Sequence, residues 1–287
     1  MLEMTGRQDL GPRDKQLVVQ ASRLHIAAET AAPQIPKLAL VCVLGLALCA
    51  NVQVWGQTVA VKEIAPGIIE GYLAADEYPN SLKLLPPPPK DGSAAFARDE
   101  EAARATFTLR GSARWDQAIA DANLEFPAAT DAFSGTLGFE ITEKDTPHLY
   151  LLMRRTLTDA GLSTYTAKNH YQRKRSFMLN NQPIGTPDEE EGLRKDGSYP
   201  SGHTAIGWAW ALILCEIVPD RTDAILARGY AFGQSRVICN VHWQSDVDAG
   251  RIMGAAAVAR LHAEEDFLAD LEKVKAEAKM HSKQETE

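Results

Sequence analysis

The apolar positions of this 287-residue chain fall into long helical stretches separated by polar loops. Leu38–Ala50 comes first: LALVCVLGLALCA, thirteen residues without a charge, preceded by Lys37. That is the length of a secretory h-region and too short to span a membrane. Residues 57–95 show no period, and Pro86–Pro89 cannot continue a helix, so this stretch is predicted to be extended. From about Ala94 the texture is helical, through ARDEEAARATFTL and then SARWDQAIADANL. Asp131–Ile141 and Pro147–Asp159 give two further helices, the second with apolar spacing near 3.6 and Gly161 as its stop. Residues 163–178 read as helix, Asn180–Pro200 as a long polar loop of the kind that often carries function. Thr204–Val218 is a strongly apolar helix, Thr222–Cys239 another, and His242–Leu271 one or two more. Glu272–Glu287 is charged and expected to fray. No stretch sustains the period-2 alternation of a strand. The predicted fold class is all-α, a single compact helical domain with an extended, Pro-rich N-terminal segment.

This pattern divides the chain into a leader (1–56, h-region 38–50), a body (57–271) and a charged tail (272–287). Val54-Trp55-Gly56 before Gln57 is one candidate cleavage site and Ala50 another. An uncleaved anchor, a start placed too early, a weak lipoprotein box at Cys49 and a buried core helix are the competing readings of the long leader. Export to the periplasm or medium is the expectation. No later stretch reaches 18 uncharged apolar residues, so the body is expected to be soluble, without a stable membrane span. The net charge of −8 disfavours nucleic acid, which needs a basic face, and requires any anion site to be a local pocket. Cys215 and Cys239 lie in the body, where one disulfide or two buried thiols are both open. No CxxC or HxxxH pair supports a zinc site, and no metal or cofactor is expected.

Three polar blocks in the last 120 positions change the picture. In YPSGHTAIGW, Pro200 is followed by Ser201, Gly202 and His203 at the start of an apolar helix. Free N–H groups there favour an anion. An ordinary serine cap with an incidental histidine is the plainer reading. In SRVICNVHWQSD, His242 and Asp246 are four apart and share a helix face. Asp246 can then hold one ring nitrogen and leave the other as a nucleophile or base; a surface ion pair is the plainer reading. In KNHYQRKR, Lys168 and Arg175 lie two helical turns apart and, with Arg236, could clamp phosphate oxygens. A solvated basic stripe is the alternative, since Arg173 and Lys174 crowd the same segment.

Together the blocks resemble the bacterial class A non-specific acid phosphatases, within the type 2 phosphatidic acid phosphatase and vanadium haloperoxidase superfamily. The superfamily pattern is Lys, six residues, Arg-Pro; then Pro-Ser-Gly-His; then Ser-Arg, five residues, His, three residues, Asp. Lys168 and Arg175, Pro200–His203, and Ser235, Arg236, His242 and Asp246 match it. LLPPPP at 84–89, GSARWDQAIADANL at 111–124, DGSYPSGHTAIGWAWALIL at 196–214 and GQSRVICNVHWQSDVDAGR at 233–251 extend the likeness across roughly residues 70–265. Ser176 departs from the pattern where the family has proline, which puts the fixing of Arg175 in question.

The resemblance implies that His242 attacks phosphorus, Asp246 orients it, and His203 protonates the leaving group. Lys168, Arg175, Ser201, Gly202 and Arg236 would hold the phosphoryl oxygens. It implies metal-independent hydrolysis of small phosphomonoesters such as nucleotides, sugar phosphates or aryl phosphates, an acidic optimum, vanadate inhibition and transfer to other hydroxyls. A membrane lipid phosphatase shares the blocks but needs spanning helices. A vanadate-dependent haloperoxidase and an inactive phosphate-binding protein are the remaining readings. The apolar helices allow a homodimer without requiring one.

Overall fold

A computed structural model describes residues 61–284. The leader, its h-region and its cleavage sites lie outside the described residues. The architecture is all-α apart from one small hairpin, β1 Glu63–Ala65 against β2 Ile68–Ile69, turned by Gly67 at φ +77°. The Pro-rich stretch follows a single helical turn, α1 Ser81–Leu84, capped by the Asn80 side chain. Then come α2 Ala94–Thr106, α3 Ala113–Ala120 and α4 Asp131–Leu137, the last closed by Gly138 in the left-handed region. Ser93 and Ser112 cap α2 and α3 by accepting from backbone N–H groups three residues on.

α5, Pro147–Leu162, starts with proline at its first position and runs through Gly161 rather than stopping before it. Two short helices follow, α6 Tyr165–Tyr171 and α7 Ser176–Asn180, where the sequence predicts one. Gln172 breaks them apart with φ +44°. The polar loop holds one short helix, α8 Glu190–Leu193. α9 Gly202–Ile217 and α10 Thr222–Ile238 follow, then α11 Gln244–Leu261 and α12 Glu265–Gln284.

α9 runs through the middle of the molecule because it has almost no polar face. Thr204, Ala205, Ile206, Ala209, Trp210, Ile213, Leu214 and Ile217 are all buried, against α5, α10 and α11. Small residues allow α11 to approach closely. A Cβ on Gly250 would lie 2.6 Å from Ser201 O, and one on Gly254 2.5 Å from Ala205 O. Trp210 sits in an aromatic cluster with Phe126, Phe133 and Phe232. The C-terminal segment does not end at Leu271. α12 continues, burying Val274 and Ala278, and Glu277 accepts from His148 N and Leu149 N at the start of α5 (3.1 and 2.9 Å). A carboxylate on those unpaired N–H groups is favourable in charge and hydrogen bonding. Cys215 and Cys239 are both free thiols.

Candidate active site

The ends of five helices meet at one place. The N-terminus of α9 carries Ser201–Gly202–His203, the C-terminus of α10 carries Arg236, the start of α11 carries His242 and Asp246, and the α6–α7 break carries Lys168 and Arg175. The three sequence blocks therefore converge. Lys168, Arg175, Arg236, His242, Asp246 and Ser201 are each no more than 3% exposed. His203 keeps some accessible surface.

Local chemistry explains the convergence, and it differs from the predicted spacing arguments. Lys168 and Arg175 do not share one helix face, because α6 ends at Tyr171. Arg175 occupies the N-cap of α7 with extended backbone (φ −72°, ψ 159°). His242 likewise precedes α11 instead of lying four residues along it. After α10, Asn240 turns the chain at φ +60°, a conformation asparagine tolerates, and Arg236 O accepts from both Val241 N (3.1 Å) and His242 N (3.2 Å). Asp246, in the first turn of α11, reaches back to accept from Trp243 N at 2.8 Å. The Ser201 N–H donates to Asp246 O at 3.0 Å, joining the starts of α9 and α11.

The three cations are held differently. Lys168 Nζ lies 3.1 Å from Asp196 Oδ2 and donates to Gly197 O at 2.6 Å. The Arg175 guanidinium donates to Leu193 O (2.9 Å), Val241 O (3.1 Å) and Asp196 Oδ2 (2.9 Å), and its Nη1 lies 2.9 Å from His242 Nε2. Arg236 is fully buried, and none of its three guanidinium nitrogens finds a hydrogen-bond acceptor among the described residues. Glu189 Oε2 stands 3.7 Å from its Nη2. An arginine buried in this way is costly unless an anion meets it.

Burial pushes both histidines well below the ordinary imidazole range. For His203 the Arg236 guanidinium adds to this; for His242 Arg175, Lys168 and Arg236 do. His203 Nε2 lies 2.9 Å from Ala122 O, which engages that nitrogen and leaves Nδ1 for proton exchange. The segment bearing Ala122 is fixed by Asp121, which accepts from Arg228 and from Ser235 Oγ. Ser235, part of the third block, thus braces the wall: its Oγ donates to Asp121 and accepts from the Arg114 guanidinium at 3.0 Å. Ser201 Oγ caps α9, accepting from Thr204 N at 3.2 Å, and Gly202 opens that helix beside the Lys168 side chain.

Four contributors were not singled out from the sequence. Arg173, read as part of a basic stripe, is held between Asp99 Oδ2 (2.7 Å) and Asp246 Oδ1 (2.5 Å). Asp99 lies in the DEE run of an otherwise solvated-looking helix and is 3% exposed. Asp196 bridges Lys168 and Arg175. Ser198 Oγ lies between Asp246 Oδ2 (2.5 Å) and His242 Nδ1 (3.2 Å). A signal existed only for the last two, in their closeness to Ser201 within DGSYPSGH.

Cations around two histidines, with a carboxylate behind one of them, make a pocket suited to an oxyanion such as a phosphate group. Residues 149–264 match the PAP2 superfamily. The chain is 47% identical to a non-specific acid phosphatase of Providencia stuartii over 207 residues, which cover 72% of this chain and 84% of that protein. It is 42% identical to the non-specific acid phosphatase of Salmonella typhimurium over 220 residues, 76% of this chain and 88% of the relative. An acid phosphatase of Zymomonas mobilis is 42% identical over 200 residues, 70% and 76% of the two chains. The chain belongs to the class A non-specific acid phosphatases of the PAP2 superfamily.

Proposed function

We propose that this chain hydrolyses phosphate monoesters in two steps through a phosphohistidine on His242, with fixed cations in place of a metal ion and best activity below neutral pH. The observation that carries the reading is Arg236. A buried guanidinium with no hydrogen-bond acceptor among the described residues and its nearest carboxylate, Glu189, at 3.7 Å, beside the same histidines as Lys168 and Arg175, suits a multiply charged anion with several acceptor oxygens.

In the first step the Nε2 lone pair of His242 attacks phosphorus as the ester P–O bond breaks. The leaving oxygen takes a proton from His203. In the second step water gives a proton to His203 and attacks phosphorus. The P–N bond breaks, its electron pair returns to Nε2, and orthophosphate is released. Lys168, Arg175 and Arg236 stabilise the charge that accumulates on the equatorial oxygens. The Arg175 N–H now directed at His242 Nε2 is one that a phosphate oxygen competes for, so binding frees the lone pair for attack. His203 must be charged to act as acid, and burial first, then the cations, oppose this. A bound dianion offsets them, and low pH supplies the proton.

The test is p-nitrophenyl phosphate hydrolysis by the purified protein from about pH 4 to 8 with EDTA present, beside His242→Ala. Activity that rises toward acid pH, ignores the chelator and falls about 10³-fold or more in the variant is expected. Activity that requires an added divalent ion, or survives His242→Ala, contradicts the reading.

A further inference from the structure

We propose that Ser198 is a positioning residue for this reaction, carrying the orienting hydrogen bond between Asp246 and His242 by accepting from the ring Nδ1–H and donating to the carboxylate. The proposal rests on His242 being the nucleophile.

It follows from counting donors and acceptors. A guanidinium only donates, so His242 Nε2, 2.9 Å from Arg175 Nη1, is the acceptor of that pair. In the neutral ring the proton then sits on Nδ1. Two oxygens face Nδ1: Ser198 Oγ at 3.2 Å and Asp246 Oδ2 at 3.4 Å. Oδ2 already accepts from Trp243 N at 2.8 Å and lies 2.5 Å from Ser198 Oγ. An ionised carboxylate has no proton to give, so the serine donates to it, and the single hydroxyl proton is thereby spent. The serine lone pairs are left for Nδ1–H. Every bond then runs one way, from ring to hydroxyl to carboxylate, and such a chain strengthens as positive charge develops on the ring during attack.

The carboxylate is also held where it cannot easily bypass the serine. Asp246 Oδ1 is bound by Arg173 Nη1 at 2.5 Å, and Arg173 is itself anchored by Asp99 Oδ2 (2.7 Å) and Ser245 Oγ (2.8 Å). Moving Oδ2 onto Nδ1 would disturb this anchor and the Trp243 cap together. Ser198 is equally fixed: it is fully buried, and its N–H donates to Arg173 O at 2.9 Å.

The experiment compares Ser198→Ala, Ser198→Thr and His242→Ala in the full-length protein. Each is measured for kcat, inhibition by orthophosphate, and the rate of the p-nitrophenol burst. Groups that orient a reacting imidazole from behind are worth about 10- to 100-fold where this has been measured on metal-bound histidines. Ser198→Ala is expected to lose kcat and burst rate in that range while the orthophosphate inhibition constant stays within about twofold. Ser198→Thr, which keeps the hydroxyl, should recover most of the rate. A kcat within about twofold of the parent in Ser198→Ala overturns the proposal. So does parallel loss of kcat and orthophosphate affinity that threonine does not repair. Because either variant could fold poorly, the histidine tautomer of the parent protein is read independently by ¹⁵N NMR. His242 is expected as the Nδ1–H form, and the Nε2–H form overturns the proposal. If His242→Ala stays active, the phosphohistidine reading itself has failed, whatever Ser198 does.

Discussion

Ser176, the residue that departs from the family pattern, sits at the first position of α7, directly after Arg175. It does not loosen the arginine. Arg175 is 2% exposed and bound by Leu193 O, Val241 O and Asp196. The Ser176 side chain is buried and its Oγ finds no hydrogen-bond partner among the described residues. Arg175 already has the extended backbone that a residue before proline prefers, and proline at a first helical position forfeits no helical hydrogen bond. Ser176→Pro is therefore expected to stabilise the fold by about 0.4–1 kcal/mol, read from the urea midpoint, with KM unchanged. A lower midpoint contradicts this account of α7. The same scale shows what the sequence hides. Lys168, Arg175, Arg236, His203, His242 and Asp246 were legible because their side-chain types carry chemistry at a recognisable spacing. Arg173 was not, because its role depends on two carboxylates, Asp99 and Asp246, being buried on either side of it. Residue order reports no such burial.

At the scale of elements, hydrophobic periodicity located the helices well and their ends poorly. α9 and α10 were legible because they are long, apolar and bounded by Pro200, Pro219 and the Cys239–Val241 turn. The break between α6 and α7 was not. It depends on Gln172 in the left-handed region, a conformation for which glutamine gives no signal. α12 was cut short at Leu271 because its last turns are mostly charged. Those charges flank a narrow buried stripe, Val274 and Ala278, and one of them, Glu277, caps α5. The errors matter for the site. Both predicted helix-face arguments, Lys168 with Arg175 and His242 with Asp246, named residues that do meet. What brings them together is a helix N-cap position and the Asp246 carboxylate reaching back to accept from Trp243 N, with backbone bonds through Arg236 O and Asp246 O.

At the scale of the whole molecule, five helix ends carry an array of like charges around two buried imidazoles, and the cost shows in how the protein should respond to pH. His203 and His242 are held well below the ordinary value of 6.5. Below that pH the unfolded chain takes up protons that the folded chain refuses. The stability these rings contribute is full above 6.5 and is lost as pH falls toward their folded values. Asp159, pushed up to about 6 by burial, acts in the opposite sense, and its contribution is lost as pH rises through about 6. Replacing both histidines by asparagine is thus expected to flatten the loss of stability between about pH 7 and 5, by up to about 2 kcal/mol for each ring, in urea unfolding without phosphate. An unchanged pH slope contradicts the claim that burial, with the cations beside it, keeps the rings neutral. The central claim, that His242 becomes covalently phosphorylated, is tested most directly by quenching the protein in alkali during turnover and locating phosphate by peptide mass spectrometry. A base-stable, acid-labile phosphoryl group on the peptide carrying His242, absent from His242→Ala, is the expected result. Phosphate on another residue, or full turnover with none trapped, would contradict it.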